Sequence, residues 1–199
     1  MKWWWDFQRR TSSKNGEIVV YQRFGCVNIF VNECGQSTPY TRSMWKQCFA
    51  HLRKRHAPIK HILMLGLCGG SEVATLHRFF APTHVTVIEH DPVMVSLTRE
   101  LALYKPFAKP EIIEGDAAQI VPTLTQPFDL IVVDMFDGPN PCPVITEDVF
   151  IEQLKHLLTP SGLLVVNVYK DAQYLDKVRS HFETFEPFVF RSNTLGIFQ

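Results

Sequence analysis

The sequence predicts one α/β domain built on an open, mostly parallel sheet, and three observations lead there. From residue 61 onward, short apolar runs alternate with longer helix-like runs. The apolar runs are nearly continuous, the pattern of strands covered on both faces. The last two, 188–191 and 195–198, are separated only by a short turn at Ser192-Asn193, so a sheet of seven strands closes in an antiparallel hairpin.

The elements follow in order. Met1-Lys2-Trp3-Trp4-Trp5-Asp6 is too short and too soon charged for a signal peptide or a membrane span, and its three tryptophans are expected to clasp the domain. Strands at 16–20 and 27–31, turning near Gly25, make a small hairpin. Gly35-Gln36-Ser37-Thr38-Pro39 interrupts the pattern, and 40–53 reads as a helix whose end carries the cationic cap Arg53-Lys54-Arg55-His56. This segment, 1–56, is too small to bury a core and is expected to be an appendage over one lip of a cleft in the main domain, 57–199.

The main domain then alternates. Strand 62–65, helix 71–80, strand 85–89, helix 92–104, strand 111–114, a weak helix at 117–123 and strand 130–133 come first. A helix at 147–158, closed by Thr159-Pro160-Ser161-Gly162, leads to strand 163–168 and a helix at 171–185 before the terminal hairpin.

Composition removes several functional classes. At 199 residues, the chain buries about 70% of its unfolded surface and needs no staples. Lys plus Arg and Asp plus Glu are both 20, so no global basic field attracts nucleic acid or a membrane surface. Five cysteines without a CxxC pair point to a reduced cytoplasmic protein without a structural metal.

The organising stretch is His61 to Asp91, a strand, a glycine turn (Gly66-Leu67-Cys68-Gly69-Gly70), a helix and a second strand ending in Glu89. Such a turn lets backbone approach a ligand without Cβ interference, and the helix start presents free N–H groups. Glu89 lies twenty-three residues after Gly66, the place of an acid that accepts ribose hydroxyls. A nucleoside site follows. Asp116, in Gly115-Asp116-Ala117, stands at the next strand end, where it serves an adenine amino group, a helix N-cap, or both. Asp134 and Asp137, in Asp134-Met135-Phe136-Asp137-Gly138-Pro139, stand after the fourth strand, where carboxylates hold a cation or take a proton from an attacking amine. The stiff loop 139–143 is a wall or lid. Cys68 reads either as a small buried residue or as a reactive thiol.

These motifs, with Ile62-Leu63-Met64-Leu65 before the turn, Val87-Ile88-Glu89-His90-Asp91-Pro92 and Phe128-Asp129-Leu130-Ile131-Val132-Val133 before Asp134, resemble the spermidine synthase family within the Rossmann-like class I S-adenosylmethionine-binding methyltransferase fold. Cys34-Gly35-Gln36-Ser37 before the first helix, Thr146 and Asn167 fit as well. The resemblance implies a cytoplasmic transferase, and a homodimer, that binds S-adenosylmethionine or its decarboxylated form. Its nucleoside would lie against Gly66, Cys68, Gly69, Gly70, Glu89, Asp116, Ala117 and Asp134. A small acceptor, a polyamine in the family, would lie near Gln36, Trp45 and Asp137, with Asp137 as base and Asp134 beside it.

The departures bear on the acceptor. Family members carry Gly-Gly-Gly-Asp-Gly in the first turn, and ungapped alignment puts Gly69 at that acid, with Glu72 available to replace its charge. The family's Tyr-His/Gln-Glu aligns with Trp45-Lys46-Gln47, losing an acid and gaining a cation. The resemblance therefore leaves methyl and aminopropyl transfer open, with a catalytically degenerate nucleoside-binding or scaffold protein as the rival. A nicotinamide oxidoreductase fits less well, because Gly66-x-Cys68-x-x-Ser71 lacks two of that fingerprint's glycines.

Overall fold

The computed structural model describes residues 6–23, 25–54, 58–138 and 140–199, with only the backbone at Asp6. The Trp3–Trp5 run, Arg55, His56 and Pro139 lie outside the described residues.

The N-terminal segment is larger than a hairpin. Strands β1 (Asp6–Ser12), β2 (Gly16–Arg23), β3 (Cys26–Val31) and β4 (Cys34–Ser37) form a four-stranded antiparallel sheet. β1, DFQRRTS, lacks apolar alternation, and it is held as an edge by its ladder to β2, from Asp6 opposite Gln22 to Ser12 opposite Gly16. β4, expected as a break, pairs with β3 across a register shift. One face of the sheet, Ile18, Val20, Val27, Ile29 and Val31, packs on Met94 and Leu97 of a main-domain helix.

Helix α1 (Pro39–Arg53) starts at a capping box. Thr41 Oγ1 accepts from the Thr38 N–H at 2.9 Å while Thr38 Oγ1 accepts from the Thr41 N–H, and Pro39 occupies the first turn. Met44, Trp45, Cys48, Phe49 and Leu52 fall on one helical stripe and are buried. They join Ile62, Met64, Leu130 and Val132 in a single core, so α1 packs as a layer of the main sheet although it belongs in sequence to the N-terminal segment.

The main sheet contains β5 (His61–Leu65), β6 (His84–Glu89), β7 (Glu111–Glu114), β8 (Phe128–Val133), β11 (Leu158–Tyr169), β12 (Phe185–Phe190) and β13 (Asn193–Phe198). Between β8 and β11 lies a two-residue hairpin, β9 (Phe136–Asp137) with β10 (Asn140–Pro141), which the sequence did not suggest. The order across the sheet is β12-β13-β11-β8-β5-β6-β7. The pairs among β7, β6, β5, β8 and β11 are parallel, and those of β13 with β11 and β12 are antiparallel. This is the expected seven-stranded mixed sheet.

Helices α2 (Ser71–Phe80), α3 (Pro92–Leu101), α4 (Ala117–Ile120), α5 (Asp148–His156) and α6 (Tyr174–Arg179) flank it. α3 stops at a left-handed Ala102, short of the expected 104. α6 is far shorter than the predicted 171–185. Asp171 turns back on Gln173, its Oδ1 accepting from the Gln173 N–H at 3.3 Å, which delays the start. At the other end Pro187 suits an edge strand and not a helix, and β12 begins at Phe185. β11 begins at Leu158, ahead of the expected 163, because Leu158 already pairs with Phe128 before a bulge over 159–162.

Candidate active site

The strand ends set the geometry. Backbone bonds from the Gly66 N–H to Ile88 O, the Gly115 N–H to Glu89 O and the Asp134 N–H to Leu65 O, each 2.9 Å, align the C-terminal edges of β5, β6, β7 and β8. Open parallel sheets hold ligands beyond this edge. At Gly66, φ is 93° and a Cβ would overlap the Asp134 carbonyl oxygen, so only glycine lets β5 and β8 release their loops side by side. At Gly69, φ is 75° and a Cβ would run into Cδ1 of Ile29 on β3. In the ungapped alignment, the end of the Ile29 side chain thus stands where the family's acid would begin.

Two cavities open here. The first, about 720 Å³, is walled by the glycine turn at Gly66 and Cys68, by Glu89, by Asp116 with Ala117, and by Asp134 and Asp137. The predicted nucleoside residues thereby come together, except that Gly69 and Gly70 are buried in the turn behind it. Lys14 and Asn15, from the β1–β2 turn, complete its rim. Asn15 Nδ2 donates to Asp91 Oδ2 at 2.7 Å and so fixes that turn over the lip. Nothing in the sequence marked these two residues, because they approach only through the packing of the β-sheet on α3.

Glu89, 6% exposed, holds the turn from behind. Its Oε2 accepts from the Leu67 N–H and its Oε1 from the Asp91 N–H, both at 2.9 Å, and Oε1 also stands 3.3 Å from His90 Nδ1. Asp116 does cap α4, its Oδ1 accepting from the Ala118 N–H at 2.9 Å, and it also lines the cavity.

The second cavity, about 820 Å³, lies between β4, the start of α1 and the turn joining β12 to β13. Aromatic rings of Phe30, Tyr40, Phe136 and Tyr169 line it together with Asn167, Asn193 and Arg191. Gln36, Asp134, Phe136 and Gly138 line both cavities. Asp134 therefore sits at the junction, whereas Asp137 is exposed and lines only the first.

Asp134 is 8% exposed and heavily bonded. Its Oδ1 accepts from Asn167 Nδ2 at 2.8 Å, and its Oδ2 accepts from Trp45 Nε1 at 3.2 Å and from the Cys68 thiol at 3.3 Å. Asn193 Nδ2 donates in turn to Asn167 Oδ1 at 2.9 Å, and the Tyr40 hydroxyl donates to Asn193 Oδ1 at 2.7 Å. Burial raises the Asp134 carboxyl above the ordinary range, and the bonds from Asn167, Cys68 and Trp45 work against that rise. Burial and the Asp134 charge push the Cys68 thiol well up, which makes it a poor nucleophile and a donor to Asp134.

Trp45, expected at the acceptor, is fully buried and lines neither cavity; it reaches the site through Asp134. Its neighbours Lys46 and Gln47 point to solvent. Gln36 does face both cavities. Beneath the turn, Glu72 is 1% exposed, its Oε2 accepts from the Ser71 hydroxyl at 2.9 Å, and its Oε1 has no hydrogen-bond partner among the described residues. Burial, then the charge of Asp134, pushes its carboxyl up to about 8.

A spermine/spermidine synthase domain model matches residues 43–186, most of the chain. The chain belongs to the spermine/spermidine synthase family. It is 26% identical over 178 residues to a polyamine aminopropyltransferase of Vibrio vulnificus, covering 80% of this chain and 58% of that protein. The chain spans about two-fifths to three-fifths of the length of the curated aminopropyltransferases it matches. Its fold matches spermidine synthase from Thermotoga maritima at a TM-score of 0.75, with 15% identity, over 96% of this chain and 71% of the other. Human methyltransferase-like protein 13, in complex with SAH, matches at 0.62 with 20% identity, covering 79% and 78%. Both likenesses place this family member in the class I methyltransferase fold.

Proposed function

We propose that this protein transfers an alkyl group from the sulfonium of an S-adenosyl donor to an amine. The observation that carries the reading is the meeting of two cavities at one buried carboxylate, Asp134. The cradle around Gly66, where a Cβ would not fit, and the Glu89 and Asp116 residues that line the first cavity suit a nucleoside. Glu89 would take the ribose hydroxyls and Asp116 the adenine side. The amine would lie in the second cavity. As the nitrogen–carbon bond forms, the carbon–sulfur bond breaks with its electron pair on sulfur, and the amine proton passes to the protein.

Both aspartates were expected at the chemistry, with Asp137 as the base. Position favours Asp134 as the proton acceptor: it touches both cavities, and burial makes it more basic than an ordinary carboxylate. Asp137 then serves the donor side.

The names of the polyamine aminopropyltransferase relatives support an aminopropyl group as the one transferred, which decarboxylated S-adenosylmethionine would supply, and a polyamine as the acceptor. One observation favours a second reading, methyl transfer from S-adenosylmethionine. Gly69 carries no acid to hold the donor's amine, and Ile29 fills the space. Calorimetric titration with each donor separates the readings, and binding of neither would leave a scaffold protein. Transfer should then be lost in Asp134→Asn with donor binding kept; full turnover in that variant would overturn Asp134 as acceptor.

A further inference from the structure

The connection from β3 to β4 is a turn of two residues. Val31 pairs with Cys34 and leaves Asn32 and Glu33 between them, both with positive φ, 45° and 67°. The primed hairpin turn with both central φ positive takes glycine by preference at its second central position. A glutamate there accepts a left-handed backbone that glycine would adopt without strain. Asn32 anchors the turn: its N–H donates to Glu17 O at 2.9 Å, its Oδ1 accepts from the Glu17 N–H at 3.1 Å, and its Nδ2 donates to Asn15 O at 2.8 Å. Asn15 is in turn bonded to Asp91, so Glu33 rides on backbone tied to the rim of the first cavity.

Glu33 lines the second cavity and is exposed at its mouth. Among the described residues it joins no ion pair. The other acid of the lining, Asp134, is buried where the two cavities meet. The rings of Phe30, Tyr40, Phe136 and Tyr169 make up much of the rest. One cation, Arg191, is also in the lining, its guanidinium over the rings of Tyr40 and Phe190, each at 5.9 Å. Two acids against one cation leave the described lining net negative, with one acid deep and one at the mouth. That arrangement suits a chain of methylenes with separated ammonium groups: rings cover the methylenes and tolerate the charges, and the carboxylates meet the ammonium groups.

We propose that Glu33 is a specificity residue for the acceptor: it receives the ammonium remote from the reacting amine, so that a polyamine reaches from Asp134 to Glu33 and a monoamine does not. The contact lies at the open mouth, so its effect is modest and weakened by salt. The inference rests on the proposed alkyl transfer with the acceptor in the second cavity, whose bonds and proton are unchanged by it.

The test compares putrescine and spermidine with butylamine, which has the primary amine and no remote charge. Donor binding is measured first by calorimetry; its absence, or a donor complex that turns over none of the three amines, overturns the transfer reading and this inference with it. For whichever polyamine the native protein uses better, Glu33→Gln should raise KM about three- to tenfold. Glu33→Lys should raise it further and Glu33→Asp little, with donor affinity and Tm unchanged in all three. Butylamine should show the same KM in the native protein and in Glu33→Gln. Added salt should raise the polyamine KM more in the native protein than in Glu33→Gln. An unchanged polyamine KM in Glu33→Gln, an equal rise for butylamine, or a native protein that uses butylamine as well as either polyamine would each overturn the role of Glu33 while leaving donor binding and transfer standing.

Discussion

Trp45 Nε1 donates to Asp134 Oδ2 at 3.2 Å, joining residues 89 apart in sequence. The indole is fully buried, so the bond is formed in a low-dielectric setting where a donor to a charged acceptor is strong. Trp45→Phe keeps an aromatic ring in the core and removes the N–H. The donor bond lowers the Asp134 carboxyl, so its loss should raise it, and the acidic limb of the kcat profile should move to higher pH. The lost bond should also cost about 1.5–3 kcal/mol of stability. An unchanged limb, measured by initial rates across pH, would mean that Asp134 does not titrate in catalysis.

Glu72 should make stability fall with rising pH. Its carboxyl stands at about 8 in the folded chain against an ordinary 4.5, so the folded state holds a proton that the unfolded state gives up between those values. The associated stability is present in full below about 4.5 and is lost as pH rises through about 8. Glu72→Gln removes the titration; denaturant unfolding should show the variant gaining on the native protein as pH increases toward 9, and a constant difference would contradict it.

Restoring the family acid by Gly69→Asp should not restore a family site cheaply. The left-handed backbone costs a side-chain residue about 1–2 kcal/mol, and Ile29 must move away. Thermal melts should show the loss. Pairing with Ile29→Ala should open the space, and the double variant should shift donor preference toward the decarboxylated form.

His181 clasps α5 to the chain after α6. Its Nδ1 meets Glu152 Oε1 at 2.6 Å and its Nε2 meets Asp148 Oδ1 at 2.7 Å. The bond to Glu152, with help from Asp148, raises the imidazole. Its contribution is full below about 6.5 and disappears as pH passes the raised value. His181→Gln should therefore lower Tm at pH 6 and have little effect at pH 9; equal losses at both would point to packing instead.

The main sheet was legible because its signal is local. β5 and β8 carry continuous apolar runs at 62–65 and 130–133, β6 alternates around Thr86, and α2 is bounded by its glycine turn and Ala81. β1 was not legible, since DFQRRTS has no apolar period and owes its state to the β2 ladder. The same division holds at the site. Gly66, Glu89, Asp116 and Asp134 stand at strand ends that the pattern locates. Lys14, Asn15 and Arg191 enter from turns whose position depends on which sheet face meets which helix. Trp45 was found for its place in a motif, but its burial reflects the stripe it shares with Met44, Cys48 and Phe49.

The two cavities share Gln36, Asp134, Phe136 and Gly138, while the second owes much of its wall to the β3–β4 and β12–β13 turns. Those turns lie near opposite termini and outside the glycine-turn unit. Substitutions could accumulate in them without disturbing the nucleoside wall. On the proposed reading the scaffold is evolvable in one direction: new acceptors can be acquired by redrawing two peripheral turns, with the proposed reactive junction inherited intact.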